Sequence, residues 1–228
     1  MTYNSAIKSI RDGSPRVLPV IPHAKNEEWN DRLGMSGPIN GLDSSWTTFG
    51  AAQTRSYKNG RLVLTGTGGA ITTPNVTGMY KAQPSTPYTV TCEVAIDRHT
   101  RYNITRLGFC DSSGTMKLWA FGLFQDTAVD GDEFRRTALF VSRYASVTSQ
   151  TSSIASIIVV SRSVWLRVTN DGSNCAASWS QTGIEGTYDT FVSESYATAL
   201  LTPTRFWIGM DPFDTADPVG EFGPVRVT

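Results

Sequence analysis

The sequence predicts an all-β protein, a single antiparallel two-sheet β-sandwich that follows an extended N-terminal arm. Three observations favour this fold class. Short runs of alternating apolar and polar residues recur from Leu42 to Thr228, Gly, Asn and Asp separate them at turns, and stretches with helical periodicity are few. The 228 residues suit one large sandwich and are enough to bury a core without disulfides or metals.

The strands can be placed in chain order from the alternation and the turns between them. The Asn59-Gly60 dipeptide predicts the first hairpin, because this pair favours the turn that joins two antiparallel strands. One segment, 193–201, is a candidate helix. The predicted strands are 60–65, 88–96, 105–110, 117–124, 136–142, 154–161, 164–169, 175–180, 205–210 and 222–228.

The phase of the alternation predicts which side chains face the core, because successive side chains of a strand point to opposite faces. Cys92 shares its phase with Val90 and Val94, so we expect its thiol to be buried as a small hydrophobic group. The residues predicted to face inward are Leu62, Leu64, Val90, Val94, Leu166, Val168, Phe206 and Ile208.

The first 41 residues differ from the rest and are interpreted as an arm. Two prolines interrupt the run 16–23, so this stretch is expected to be extended. The arm carries apolar side chains that it cannot bury on itself, and we expect them to dock on a partner chain. A loose terminus without a partner is the other interpretation. The apolar residues are Leu18, Val20, Ile21 and Trp29.

Composition excludes several classes of partner and site. The 20 Lys and Arg residues balance the 20 Asp and Glu residues, which argues against a nucleic-acid partner. The three cysteines are widely spaced, which argues against both a zinc site and a disulfide framework. The N-terminus lacks the apolar core of a signal peptide, and no run has the length of a membrane span, so we expect cytoplasmic synthesis without membrane insertion.

Several runs carry a family resemblance. An aromatic entry over 45–49 precedes the hairpin 59–64, the run 164–173 reads Val-Trp-Leu-Arg-Val-Thr-Asn-Asp-Gly-Ser, and the strands 203–210 and 220–227 close the chain. This order resembles the concanavalin A-like lectin and glucanase jelly rolls, which include laminin-G-like domains. The resemblance covers roughly 42–228. It implies two stacked antiparallel sheets with sugar or protein ligands on a concave face or its rim loops.

The sequence departs from the enzymes of that superfamily, so we expect no catalytic residues. Their paired glutamates around an aspartate, spelled E-x-D-x-x-E or E-x-D-x-E, are missing around Glu93 and Glu185. The sequence contains no Gly-x-Ser-x-Gly nucleophile elbow, so the two histidines, His23 and His99, are not expected to act as the base of a catalytic triad. The glycine-rich run 66–69 lacks the lysine of a phosphate loop and is interpreted as a tight turn.

Two strands place a tryptophan beside an arginine on the face opposite the core. Trp165 shares its face with Arg167, and Trp207 shares its face with Arg205. An exposed indole beside hydrogen-bonding groups can hold a sugar ring, so these four residues are candidate glycan-binding residues. The alternatives are that Trp and Arg stack on each other or that the arm or a subunit covers them.

The run 211–217 carries three carboxylates at a spacing of three, Asp211, Asp214 and Asp217. Clustered carboxylates suit calcium, and laminin-G-like relatives sometimes bind calcium at a sheet rim, so a calcium site is one interpretation. A solvated loop in which the aspartates start turns is the other. The run 126–133 is a weaker candidate of the same kind.

The function expected from these observations is a non-enzymatic structural or receptor-recognition subunit of a phage particle, as a head decoration, tail or fibre component. A lectin-like sandwich rich in Ser, Thr and Gly, an anchoring arm and no signal peptide favour it. Other virion subunits, a second copy and a cell-surface glycan are the expected partners, and the virion is the expected location. A stand-alone carbohydrate-binding module and a glycan hydrolase with unrecognised carboxylates are the alternatives.

Overall fold

The computed structural model describes residues 26–27, 46–58, 60–66, 74–96, 103–126, 136–159, 163–212 and 219–228. Nearly all of the elements in these ranges are strands. In chain order they are β1 (Asn26–Glu27), β2 (Thr47–Phe49), β3 (Gln53–Lys58), β4 (Arg61–Gly66), β5 (Thr77–Ala82), β6 (Tyr88–Ile96), β7 (Asn103–Cys110), β8 (Leu118–Asp126), β9 (Arg136–Ser146), β10 (Ser149–Val159), β11 (Ser163–Asn170), β12 (Asn174–Ser180), β13 (Asp189–Ser195), α1 (Tyr196–Ala199), β14 (Arg205–Pro212), β15 (Val219–Phe222) and β16 (Val225–Val227).

The strands form two antiparallel sheets, which confirms the predicted sandwich. The nine-stranded sheet has the order β13-β12-β11-β6-β15-β4-β3, with β16 beside β6 and β1 beside β16. The seven-stranded sheet has the order β10-β9-β8-β7-β14-β5-β2. Of the candidate helix 193–201, the first three residues end strand β13 and the next four form the single turn α1, which the Ser195 hydroxyl caps. No helix in the described ranges has the length and apolar character of a membrane-spanning segment.

The main core fills the space between the sheets. All eight residues predicted to face inward are buried in it, and so are the thiols of Cys92 and Cys175. Trp119 stacks on Phe109 at 5.7 Å between ring centroids, and both rings are fully buried. The phase of the alternation was therefore sufficient to find the core face of each sheet.

A second core covers the outer face of the seven-stranded sheet. The backbone N–H of Val76, at the start of β5, donates to Val147 O at 2.9 Å. Val147 lies in the turn between β9 and β10, and three strands separate β9 from β5, so this turn must cross the face of the sheet. The buried residues beneath it are Val76, Cys110, Leu118, Ala120, Tyr144 and Trp207.

Glycine is required where the strands beneath this second core approach closely. A Cβ at Gly108 would lie 2.1 Å from Trp119 O and 2.9 Å from the indole nitrogen of Trp207. A Cβ at Gly209 would lie 2.2 Å from Thr77 O. No other residue fits such contacts without displacing a neighbouring strand.

The described part of the N-terminal segment contributes one strand to the sandwich. Asn26 pairs with Arg226 and Glu27 pairs with Val225, so β1 extends the nine-stranded sheet of its own chain. The domain boundary predicted after residue 41 therefore separates β1 from the sheet to which it belongs. The candidate assembly residues Leu18, Val20, Ile21 and Trp29 lie outside the described residues, and their docking on a partner stays a prediction.

Candidate functional site

The four candidate glycan-binding residues lie on two different faces of the sandwich. Trp165 and Arg167 are on the outer face of the nine-stranded sheet. The residues that alternate with them along β11, Val164, Leu166 and Val168, face the core. Arg205 and Trp207 are on the outer face of the seven-stranded sheet. The alternation paired the residues correctly within each strand, but the two pairs are separated by the whole sandwich and cannot form one site.

Trp207 is fully buried, so the expectation of an exposed indole was wrong at this position. Its ring nitrogen donates to Phe109 O at 3.1 Å, and the edge of the Phe49 ring packs against it at 5.5 Å. The neighbouring Arg205 lies with its guanidinium 4.3 Å from the centroid of the Tyr80 ring. It also donates to Asp111 O at 3.4 Å and so supports the loop between β7 and β8.

Trp165 and Arg167 are half-buried, and other residues of the same chain contact both side chains. The Arg226 guanidinium lies 4.9 Å from the Trp165 ring, and the Gly183 backbone is so close that a Cβ there would lie 2.5 Å from the indole. Arg167 lies 3.5 Å from the Tyr188 ring and donates two hydrogen bonds to Glu185. These hydrogen bonds lower the pKa of Glu185 and raise the pKa of Arg167. The contacts match the alternative in which arginine stacks on aromatic rings.

Asp211 lies at the end of β14 and is fully buried, not in a solvated loop. Its two carboxylate oxygens accept hydrogen bonds from the Tyr144 hydroxyl at 2.6 Å and from Asn75 N at 3.1 Å. The guanidinium of the buried Arg106 lies 3.7 Å away. Burial raises the pKa of Asp211, and Arg106 opposes that shift.

Of the three aspartates in the predicted calcium site, one lies within the described residues. Asp214 and Asp217 lie outside the described residues, whereas Asp211 is already engaged by Tyr144 and Asn75. Within the described ranges no group of three or more potential metal-ligating side chains occurs. Calcium binding at 211–217 therefore stays a prediction.

The candidate site that the sequence did not indicate is an open cleft at one end of the sandwich, called the end cleft below. It has a volume of about 710 Å³. The loop between β7 and β8 forms one wall, the end of β9 forms the floor, and α1 with the segment leading to β14 forms the other wall. The lining residues are Asp111, Ser112, Ser113, Lys117, Tyr144, Ala145, Tyr196, Ala197, Leu200, Leu201, Thr202 and Thr204.

The loop wall is held in shape by one carboxylate oxygen. Asp111 Oδ1 accepts hydrogen bonds from Ser113 N at 3.2 Å, Ser113 Oγ at 2.7 Å and Lys117 N at 2.9 Å. Asp111 Oδ2 makes no hydrogen bond, and the Lys117 ammonium makes no ion pair, within the described part of the chain. One carboxylate oxygen and one ammonium group are therefore available to a ligand.

The opposite wall carries an aromatic ring held by a buried network. The Tyr196 hydroxyl donates to Oδ1 of Asn170, which is fully buried. Asn170 Nδ2 donates to Gln83 Oε1 at 3.2 Å, and the Tyr88 hydroxyl donates to the same oxygen at 3.0 Å. Burial raises the pKa of Tyr196, so the phenol stays neutral. The network fixes the Tyr196 ring and leaves its side available to the cleft.

Backbone strain also marks this end of the molecule. Met116 and Leu200 have positive φ angles of 48° and 64°, and they are the two non-glycine residues in the described ranges that do. Met116 precedes the lining residue Lys117, and Leu200 lines the cleft with 43% of its surface exposed. Residues held in this region cost free energy and concentrate at binding sites, so both positions support a functional assignment here.

Three comparisons with known proteins describe what the chain is similar to. No protein-family model and no curated protein match the sequence. Among solved structures, the CBM2 module of the evolved Dit of Lactobacillus casei BL23 phage J-1 is 10% identical, with a TM-score of 0.57 and coverage of 89% of this chain and 93% of that chain.

Two further solved structures share the architecture. The carbohydrate-binding module CBM66 of Bacillus subtilis is 11% identical, with a TM-score of 0.51 and coverage of 80% and 94%. The Bacteroides ovatus protein described as xyloglucan PUL GH43B is 14% identical, with a TM-score of 0.55, but the match spans 82% of this chain and only 37% of that chain. Identities this low show a shared sandwich fold alone.

Proposed function

We propose that the protein is a non-enzymatic carbohydrate-binding subunit of a phage particle and that it binds a sugar in the end cleft. The observation that carries this proposal is the combination, in one open cleft, of a fixed aromatic ring with polar groups that no other described residue binds. Sites for small ligands pair apolar surface with a few convergent polar groups in this way.

The chemistry of the end cleft matches the two sides of a pyranose ring. The side of Tyr196 and the exposed Leu200 offer apolar surface to the C–H face of a sugar. Asp111 Oδ2 accepts hydrogen bonds from sugar hydroxyls, and the Lys117 ammonium donates to them. The exposed hydroxyls of Thr202 and Thr204 extend the polar rim, so both the stacking and the hydrogen-bonding requirements have candidates in the same cleft.

The carboxylates support a binding role over hydrolysis. Retaining hydrolysis needs two carboxyl groups about 5–5.5 Å apart, and inverting hydrolysis also needs a pair. Among the described residues, Asp111 is the one carboxylate that lines the cleft. The two glutamates considered from the sequence are engaged elsewhere, Glu93 with Arg61 at 2.5 Å and Glu185 with Arg167.

The phage context is supported by the fold and by the sequence. The similar structures include the CBM2 module of a phage Dit, and the alignment spans nearly the whole of both chains. The N-terminal segment, with its apolar residues ahead of the sandwich, has the character of an attachment arm. Incorporation of the chain with and without residues 1–25 into the native particle tests this part, since an attachment arm is required for incorporation and a dispensable tail is not.

A glycan array with the full chain, followed by calorimetry on the best oligosaccharide, tests the sugar site. Tyr196→Ala is expected to weaken binding about tenfold, which corresponds to about 1.4 kcal/mol of lost stacking. Tyr188→Ala is the matched control, because it removes the same ring from the outer face of the nine-stranded sheet. Binding that survives Tyr196→Ala but is lost on Tyr188→Ala would move the site to that face, and a blank array would remove the proposal.

A further inference from the structure

The strand β10 ends the seven-stranded sheet. Within the described strands it pairs with β9 alone, along eleven residues from Ser149 to Val159. In an antiparallel sheet about half of the residues of a terminal strand point their N–H and C=O groups away from the neighbour. Among the described residues, β10 therefore presents a row of backbone donors and acceptors along one edge of the sandwich.

The other terminal strands carry the usual protection against pairing with a foreign strand, and β10 does not. The edge strand β3 carries Arg55 and Lys58, β13 carries the exposed Asp189, and β2 is three residues long. Charged side chains and short length both discourage edge-to-edge association. The sequence of β10, by contrast, contains no charged residue and no proline, and neither does the whole run 144–161.

We infer that β10 is the surface on which a second copy of this chain docks, by antiparallel pairing of the two β10 strands around a two-fold axis. Such pairing is self-matching, since each strand meets an identical strand running the other way. An edge without charges meets its copy without like-charge repulsion. The whole chain also has a formal net charge of zero, so no long-range repulsion keeps two copies apart.

The pairing of β10 with β9 indicates where along the strand the axis lies. Irregular register occurs between Ser149 and Gln150, between Gln150 and Ser152, and between Ile154 and Ser156. From Ser156 to Val159 the register is regular, and three of these four residues are β-branched. Because bulges disrupt edge pairing, the contact is centred on 156–159, and a contact this short makes the dimer depend on protein concentration.

Sedimentation equilibrium over a wide concentration range tests the inference with the full chain. The wild-type protein is expected to pass from monomer to dimer, and Ser156→Lys is expected to stay monomeric at the highest concentration. Ser56→Lys, which adds the same charge to the edge strand β3, is expected to dimerise like the wild type. A wild type that is monomeric throughout, or a Ser156→Lys protein that still dimerises, would overturn the inference.

A crosslinking experiment keeps the test decisive if Ser156→Lys unfolds. A residue at the two-fold axis lies opposite its own copy, and the middle of the segment 156–159 falls at Ile157 and Ile158. Ile157→Cys or Ile158→Cys is therefore expected to form a disulfide-linked dimer under oxidation, whereas Ser56→Cys is not. The native thiols are buried and do not compete. Deleting residues 1–25 tests whether the arm is the interface instead. A truncated protein that no longer dimerises, or the absence of a disulfide-linked dimer from both cysteine variants, contradicts the assignment to β10.

Discussion

The outer faces of the two sheets carry the same sequence pattern and differ in structure. Each has a strand with a tryptophan two residues from an arginine, Trp165 with Arg167 on β11 and Trp207 with Arg205 on β14. On the nine-stranded sheet Trp165 remains partly exposed, while on the seven-stranded sheet Trp207 is fully buried. Alternation therefore determines the face on which a side chain lies, and what covers that face determines its exposure.

The difference comes from the chain that crosses one face and not the other. The β9–β10 turn reaches Val76 across the seven-stranded sheet, and Trp207 lies beneath it over Gly108. On the nine-stranded sheet the Arg226 guanidinium lies over the Trp165 ring. Arg167 lies over the Tyr188 ring and forms an ion pair with Glu185. One face became a second core, and the other kept a partly exposed surface on which arginines pair with aromatic rings and with Glu185.

The largest expected effect compares the two tryptophans directly. Trp207→Ala should lower the free energy of unfolding by about 3–5 kcal/mol, because it removes a large buried side chain and leaves a cavity. Trp165→Ala should cost less, about 1–2 kcal/mol, since part of its surface is already in water. Urea unfolding of both variants measures this, and equal losses would mean that the second core is not closed.

A second comparison sets a buried ion pair against an exposed one. Glu194 on β13 accepts from the Trp119 indole at 2.5 Å and from Arg143 Nε at 3.0 Å, so it joins the two sheets at their edge. Glu194→Ala should cost about 3–5 kcal/mol, because Arg143 is left buried without its partner. Glu185→Ala, which removes the exposed partner of Arg167, is the control and should leave the unfolding midpoint unchanged.

A third prediction concerns the close approach beneath Trp207. Gly108→Ala should lower the free energy of unfolding by about 1–3 kcal/mol or more, since the added methyl group meets Trp119 O and the indole nitrogen. Gly114→Ala is the control, because a Cβ there meets nothing within 4 Å. Thermal melts should separate the two variants clearly, and a neutral Gly108→Ala would show that the strands can move apart.

A fourth prediction is a pH dependence shared by both cores. Burial raises the pKa of Cys110, in the second core, and of Cys175, in the main core, to about 12 from an ordinary value of 9.0. Between these values the unfolded chain loses thiol protons that the folded chain keeps, so stability is full below about pH 9 and falls as the pH rises.

Melting temperatures between pH 8 and pH 11 measure this decline, and Cys110→Ala and Cys175→Ala should each make it shallower. A variant that changes nothing would indicate that its thiol is not enclosed. Neither thiol should react with an alkylating reagent in the native protein at pH 8.

The fold could be predicted from the sequence to a large extent, and the end cleft could not. The alternation around Leu62, Val94, Leu166 and Ile208 identified the core, because a period of two is a local property of each strand. The break between the predicted strands 105–110 and 117–124 and the candidate helix 193–201 were both visible in the sequence. Their meeting across one end of the sandwich depends on strands that are distant in the chain, and no local pattern contains that information.

The sequence by itself determined that the chain forms strands, which residues share a face, and that its charges balance to zero, because these depend on neighbouring residues and on composition. Only the tertiary structure decided that the β9–β10 turn covers one sheet, that Asp211 is buried with Arg106, and that α1 forms a cleft with the β7–β8 loop. Burial and convergence depend on which surfaces pack together, and packing is a property of the whole fold.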